Sequence, residues 1–364
     1  MKKYYLFLLL FVSATLAAQK RVDLDRFNFK VQFRSLPNIK LDSTYRTYNV
    51  SVSSTKMMKP FMQEKDPANT VLLEGWRKIG QDGHLNIQVK LEDLLPETVS
   101  IKERAITTKD RNGIVTGTKI IYYQEVVYTF AGTAQITDYK GIHIMDEELA
   151  SRRYKQVYNS PEFALRPLAE GYFVLNSLSI TKELYRNCVN RAMHYLSERI
   201  TGNFGFAAIT TDDFMWVIGS RKHPEYEDDR KAFQLMNDIL FSMDANKSIE
   251  GAREKLKPVI DYFESIKTTY SGSKKHDRKI RYSSYFNLAV LYYYLDNPEL
   301  MMKEANGLIL NDFHTAVGKS FQETALLLKN QFQQSNIYTR HFNIDPSLFT
   351  GPHEKPDTAV TNDY

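Results

Sequence analysis

The chain has 364 residues, 43% of them hydrophobic, enough apolar material for two or three packed domains and too much for a disordered chain. Its formal charge is +5, falling to +3 once Lys2 and Lys3 are set aside, so the balance gives no support for nucleic-acid binding. A single cysteine, Cys188, excludes a disulfide framework, a zinc finger and an iron–sulfur site held by this chain alone.

The first element is an address. Met1-Lys2-Lys3, an apolar run from Tyr4 to Val12 and the small residues before Gln19 have the form of a secretory signal peptide, so residues 1–18 are expected to be removed. The apolar run is shorter than the about 20 residues a spanning helix needs. No cysteine lies near the cleavage region, so a lipoprotein is excluded. No later stretch reaches membrane-spanning length, so the mature chain is expected to lack a transmembrane segment. The expected location is the periplasm, the outer-membrane surface or the medium.

Residues 19–146 read as an antiparallel β domain. Phe27, Val31 and Phe33 belong to a strictly alternating run from Phe27 to Phe33, the period of a half-buried strand. Tyr48 to Val52 and Leu85 to Leu91 repeat it. The clearest hairpin joins Val99–Thr108 to Lys119–Phe130 through Asn112-Gly113, a pair that tolerates positive φ. A last strand pair flanks Asp138 to Gly141. About seven strands predict a sandwich or open barrel. Residues 147–222 read as a mixed connecting region, mostly helical. Ser160-Pro161-Glu162 predicts a helix start running to about Asn176. A second helix is expected from Thr181 to Ile200, with Leu184, Cys188, Ala192, Leu196 and Ile200 in one stripe. A short strand follows at Gly205–Ile209, then a short helix capped near Thr211 and carrying Trp216. Residues 223–345 read as helical hairpins, with starts at His223-Pro224, near Ser248, at Tyr282, after Asn297-Pro298 and before Phe321. Residues 346–364 carry Gly351, Pro352 and Pro356 and are expected to form a mobile tail. The fold class is therefore α+β, strands first and helices last.

One segment carries a family likeness. Tyr285, Leu288, Ala289 and Tyr292 stand at the spacing of the first helix of a tetratricopeptide repeat, followed by Met301, Ala305 and Leu308 in the second. A weaker pair upstream uses Met236, Ile239 and Leu240 with Ala252, at a longer offset that the loop Thr268 to Lys279 is expected to absorb. With its signal peptide and strand-rich front, the chain resembles uncharacterised exported proteins of Bacteroidota-type bacteria. That resemblance implies an envelope location and a helical groove for a protein partner.

Residues that carry chemistry are sparse, and the sequence points away from an enzyme. No nucleophile elbow, zinc-protease, dinucleotide or phosphate-loop motif occurs, and the eight histidines are scattered. No catalytic residue, cofactor or metal ligand is assigned. Cys188 falls on an apolar stripe, and His194, six residues on, points elsewhere on the same helix. Glu225, Glu227, Asp228 and Asp229 complement the dipole of a helix start. The candidate partner-binding residues are the basic run Lys274, Lys275, Arg278, Lys279 and Arg281, expected in an inter-helix loop, with Tyr285 and Tyr292. The leading expectation is a non-catalytic envelope adaptor that binds a protein through its helices. The alternative is a glycan-binding or glycan-processing protein using β-domain aromatics such as Trp76 or Tyr122.

Overall fold

The structure is a computed structural model and describes residues 22–62 and 66–354. The expected signal at 1–18 and the last ten residues of the expected tail lie outside them. In chain order the elements begin with β1 (Leu24–Arg34), β2 (Thr47–Ser54), α1 (Lys59–Met62), β3 (Arg77–Lys78) and β4 (Leu85–Leu91). Then come β5 (Leu95–Lys109), β6 (Val115–Thr129), β7 (Gly132–Asp138), β8 (His143–Ala150) and β9 (Gln156–Asn159). After them follow α2 (Arg166–Phe204), β10 (Ala208–Ile218), α3 (Tyr226–Ser242) and α4 (Glu250–Thr269). The last are α5 (Lys275–Tyr294), α6 (Pro298–Leu310) and α7 (Thr315–Ser335). A strand-rich first half and a helical second half make the protein α+β.

The chain divides into two compact units, and not at residues 146 and 222. One unit takes residues 22–40 with 207–344, the other residues 41–206 with 345–354. The reason is the pairing of β1. Its odd positions Phe29, Val31 and Phe33 do turn inward. Its partner, however, is β10, antiparallel from Leu24 opposite Ile218 to Arg34 opposite Ala208. The short strand and short helix expected around Thr211 are this one strand. Phe214 to Ile218 is an aromatic and β-branched run that favours extended backbone, and Met215 and Val217 join the core beside β1.

In that first unit α3 to α7 each pack on the next, and the β1–β10 ribbon packs on α3 and α5. The core unites Phe29 and Phe33 with Phe233, Met236, Phe263, Leu288, Leu291 and Leu308. Asn297 starts α6 as the proline position predicts: its side chain accepts from the Leu300 N–H at 3.0 Å.

The second unit holds two sheets. One has the strand order β3-β2-β4-β7-β8, the other β5-β6-β9. Most strand pairs are antiparallel, as expected for a sandwich or open barrel; the departure is β2, which runs parallel to both β3 and β4. A parallel pair needs a long crossover, and residues 55–84 supply it. Gly83 closes it: a Cβ there would lie 2.6 Å from the Tyr48 carbonyl carbon. The β5–β6 hairpin and the β7–β8 pair form as expected, with Gly113 at φ 81° in the hairpin turn.

The two helices expected between Ser160 and Ile200 are one helix of 39 residues. Ser160 instead donates its N–H to Gln124 of β6, so the helix starts later, with Pro167 in its first turn. The Ser-Leu-Ser-Ile-Thr stretch near residue 180 contains neither glycine nor proline, and its small propensity cost does not stop a helix packed on β6 and β8. Residues 346–354 are not a loose tail. Arg77 donates to the Phe349 carbonyl at 2.6 Å and pairs with Glu354 at 2.7 Å, and Gly351 is buried.

Candidate functional site

The expected partner-binding residues all lie on or beside α5. The basic run does not form a loop, because α5 begins at Lys275 and only residues 270–274 separate it from α4. The extra length of the repeat offset therefore resides in two 20-residue helices. Lys274 and Lys275 are exposed. Arg278 donates to the Asp312 carbonyl at 3.1 Å and pairs with its carboxylate at 3.2 Å. Lys279 donates to the Val22 carbonyl at 2.9 Å. Arg281 donates to Asn311 Oδ1 at 3.0 Å and to the carbonyls of Gly272 and Tyr270. Several of these carbonyls sit at or just past helix ends, where no intrahelical donor reaches them. Three of the five basic residues are thus tied internally, and the open cationic surface shrinks to Lys274 and Lys275.

Tyr285 and Tyr292 turn inward as well. Tyr292 is buried, and Tyr285 is half-buried with its ring over Gly307 of α6. The Lys267 ammonium lies 4.8 Å from the Tyr285 ring centroid and 2.8 Å from the Glu304 carboxylate, whose side chain is 1% exposed. Burial pushes the Glu304 carboxyl up, against the pull of Lys267 and Lys303. The aromatic and charged groups form a packed seam between α4, α5 and α6. Leu288, Ala289, Met301, Ala305 and Leu308 are buried along it, a packing that any antiparallel helix pair can share.

Several other singled-out residues are also consumed by packing. Cys188 borders a cavity of about 270 Å³ with Tyr154, Gln156, Arg191 and Tyr195. Burial pushes its thiol up, although Arg191 Nη2 stands 3.5 Å away. His194 is exposed and pairs with Glu198 at 3.3 Å, as its place on the helix predicts. Trp76 is buried and donates its indole N–H to the Phe204 carbonyl at 2.8 Å. Tyr122 is half-buried and bridges to Phe163 through its backbone. Of the acids at the start of α3, Glu227 and Asp228 stay exposed. Asp229 does not: it is buried, accepts from the Ile218 N–H at 2.8 Å, and burial pushes its carboxyl up to about 7. Among the described residues no group of three His, Cys, Asp or Glu side chains is placed to hold a metal ion.

Among the described residues, open surfaces lie elsewhere. On α7, Ala325, Leu328 and Phe332 are buried, while Leu326 and Leu327 are exposed. On the five-stranded sheet, Ser53, Gln88, Lys90, Thr133, Gln135, Asp146 and Glu148 line an open cleft of about 630 Å³. They fall in register: Lys90 lies opposite Thr133, and Gln88 opposite Gln135. On α2, Leu168, Val174, Leu175 and Leu178 are exposed. The signal for this last surface is a heptad-like spacing that the apparent break between two helices obscures. No protein-family model matches the chain, and no curated protein matches it.

Proposed function

We propose that the protein is a non-catalytic scaffold of the cell envelope that holds a protein partner against its tetratricopeptide-like helical array. Stacked helices bury their apolar faces only against neighbours, and a terminal helix ordinarily carries a polar outer face. The observation that carries the reading is that α7 keeps Leu326 and Leu327 on its outer side. A helical or extended segment of a partner gains that apolar contact. Lys274 and Lys275 add open positive charge to the same unit.

The test compares the tagged protein with a Leu326→Asp/Leu327→Asp variant of equal melting temperature, each recovered from mild-detergent envelope extracts. The reading expects a membrane-complex protein that the parent retains and the variant loses. Identical recovery from both, or recovery of the parent alone where known envelope complexes survive, overturns it.

A second reading rests on the sheet cleft. Gln88, Gln135 and Thr133 present amides and a hydroxyl in register, beside Lys90 and Glu148. That chemistry suits a polyhydroxylated ligand such as an envelope glycan. Retention on insoluble polysaccharide, lost in Gln88→Ala/Gln135→Ala, supports it; retention unchanged by those substitutions removes it.

A further inference from the structure

Up to about Leu184, helix α2 is apolar on two sides, and only one is covered. Ala169, Ile180 and Leu184 are buried against the unit. At 100° per residue, Leu168, Gly171, Val174, Leu175 and Leu178 fall within roughly 120° on another side. Leu168 is 55% exposed, Val174 75%, Leu175 85% and Leu178 71%. From Leu168 through Gly171 and Leu175 to Leu178 the steps are three, four and three residues, the spacing of a seam between paired helices.

Gly171 is an independent observation. A glycine inside a helix is about 1 kcal/mol less favourable than alanine. Two other helix glycines have reasons within the chain: a Cβ at Gly307 would meet the Tyr285 ring at 2.2 Å, and one at Gly318 would meet Ile309 at 2.7 Å. A Cβ at Gly171 meets nothing within 4 Å, as at the helix glycines Gly202 and Gly251, and none of the three has a positive φ; of these, Gly171 alone stands among exposed leucines and valine on its own helix. Its hollow opens in the middle of the uncovered stripe.

We propose that α2 pairs antiparallel with α2 of a second copy of this chain, about a two-fold axis at the level of Phe173. In that register Leu175 of each copy enters the hollow at Gly171 of the other, and Leu168 meets Leu178. The stripe is thus its own complement, with each large residue opposite a small one at the centre. A parallel pair sets Lys182 beside Lys182, whereas the antiparallel pair moves the two apart. The uncovered side chains amount to roughly 500 Å² per copy, so the pair removes at most about 1,000 Å² from them, at the lower limit for a specific interface. The surface belongs to the other unit from α7, so this inference stands apart from the scaffold reading.

Sedimentation equilibrium on the purified protein tests it. The parent is expected to dimerise at micromolar concentration. Leu175→Asp, on a residue already open to water, weakens association by about 100-fold or more. Gly171→Leu fills the hollow and replaces a poor helix former, so it raises the melting temperature of the monomer while weakening the dimer. Orientation is read by oxidation: Leu168→Cys mixed with Leu178→Cys yields a disulfide-linked pair, and neither variant alone does. The native Cys188 is 2% exposed and stays out of the reaction. A parent that remains monomeric at about 100 µM overturns the proposal. So does a dimer indifferent to both Leu175→Asp and Gly171→Leu, or a stripe that captures a different protein without self-association.

Discussion

Helix α5 and the first half of α2 are both apolar on more than one side, yet the protein treats them in opposite ways. Around α5 every such side is covered, and the groups that look designed for contact, Tyr292 and Arg281 among them, bind their own chain. Along α2 the covered side ends the packing and plain leucines face water. The helical unit also draws charges inward: Asp296, Arg340, His341, Asp229 and Glu304 are all buried. On these helices, conspicuous residue types therefore mark internal fastening, while the open stripe of α2 carries ordinary aliphatic side chains. A buried polar group must find a partner, so an inward tyrosine or arginine comes with a local network, whereas an outward leucine needs none.

The sharpest way to break that comparison is to cut the most buried network. Arg340 donates to Asp296 Oδ1 at 2.6 Å through Nε, and its guanidinium lies 4.2 Å from the Phe33 ring centroid and 4.4 Å from that of Tyr293. His341 Nδ1 stands 3.2 Å from the same carboxylate. Burial alone would raise the Asp296 carboxyl, but His341 and Arg340 hold it below its ordinary value. Arg340→Ala leaves that carboxylate buried without its main partner and is expected to cost about 3–5 kcal/mol in urea unfolding. A loss under about 1 kcal/mol would show that these charges do not fasten the segment after α7 to the helical array.

Asp229 offers a smaller effect with a definite sign. In the fold it keeps its proton to about pH 7, against an ordinary value of 3.8 once unfolded. Between those values the folded state binds more protons, so this group lowers stability as pH rises from about 4 to 7. Asp229→Asn keeps an acceptor for the Ile218 N–H and removes the titration. Relative to the parent, the variant is expected to gain on the order of 3 kcal/mol between pH 4 and pH 8. Parallel stability curves for the two proteins would place the titration elsewhere.

How far the residues alone reveal this arrangement depends on whether their pattern is local. The alternation of Phe27 to Phe33, the hairpin at Asn112-Gly113 and the start of α6 at Pro298 each depend on a few neighbouring residues, and each forms where the pattern places it. The partner of β1 lies almost two hundred residues away, and nothing in its alternation distinguishes a strand of the front sheets from the mate of β10. Most of the candidate contact residues are taken up inside the chain for a related reason. A basic run looks the same whether its charges meet water or carbonyls at helix ends, and only the loop length, five residues here, decides which are within reach. The α2 stripe runs across an apparent break near Asn176, whose side-chain amide in fact donates back to the Tyr172 carbonyl inside a continuous helix.

The last comparison needs one methyl group at two helix positions. At Gly307 an added Cβ would sit 2.2 Å from the Tyr285 ring, so Gly307→Ala forces that ring off the α5–α6 seam and disturbs its contact with Lys267. Overpacking of this kind is expected to cost about 1–3 kcal/mol, even after the better helix propensity of alanine is counted. At Gly171 the same substitution meets open space. There alanine restricts the unfolded chain and favours the helix, so Gly171→Ala is expected to raise stability by up to about 1 kcal/mol. Thermal melts at low concentration, where association contributes little, isolate the two signs. Opposite signs mean that one glycine serves packing inside the molecule and the other does not; equal losses mean that the α2 stripe is already covered by its own chain.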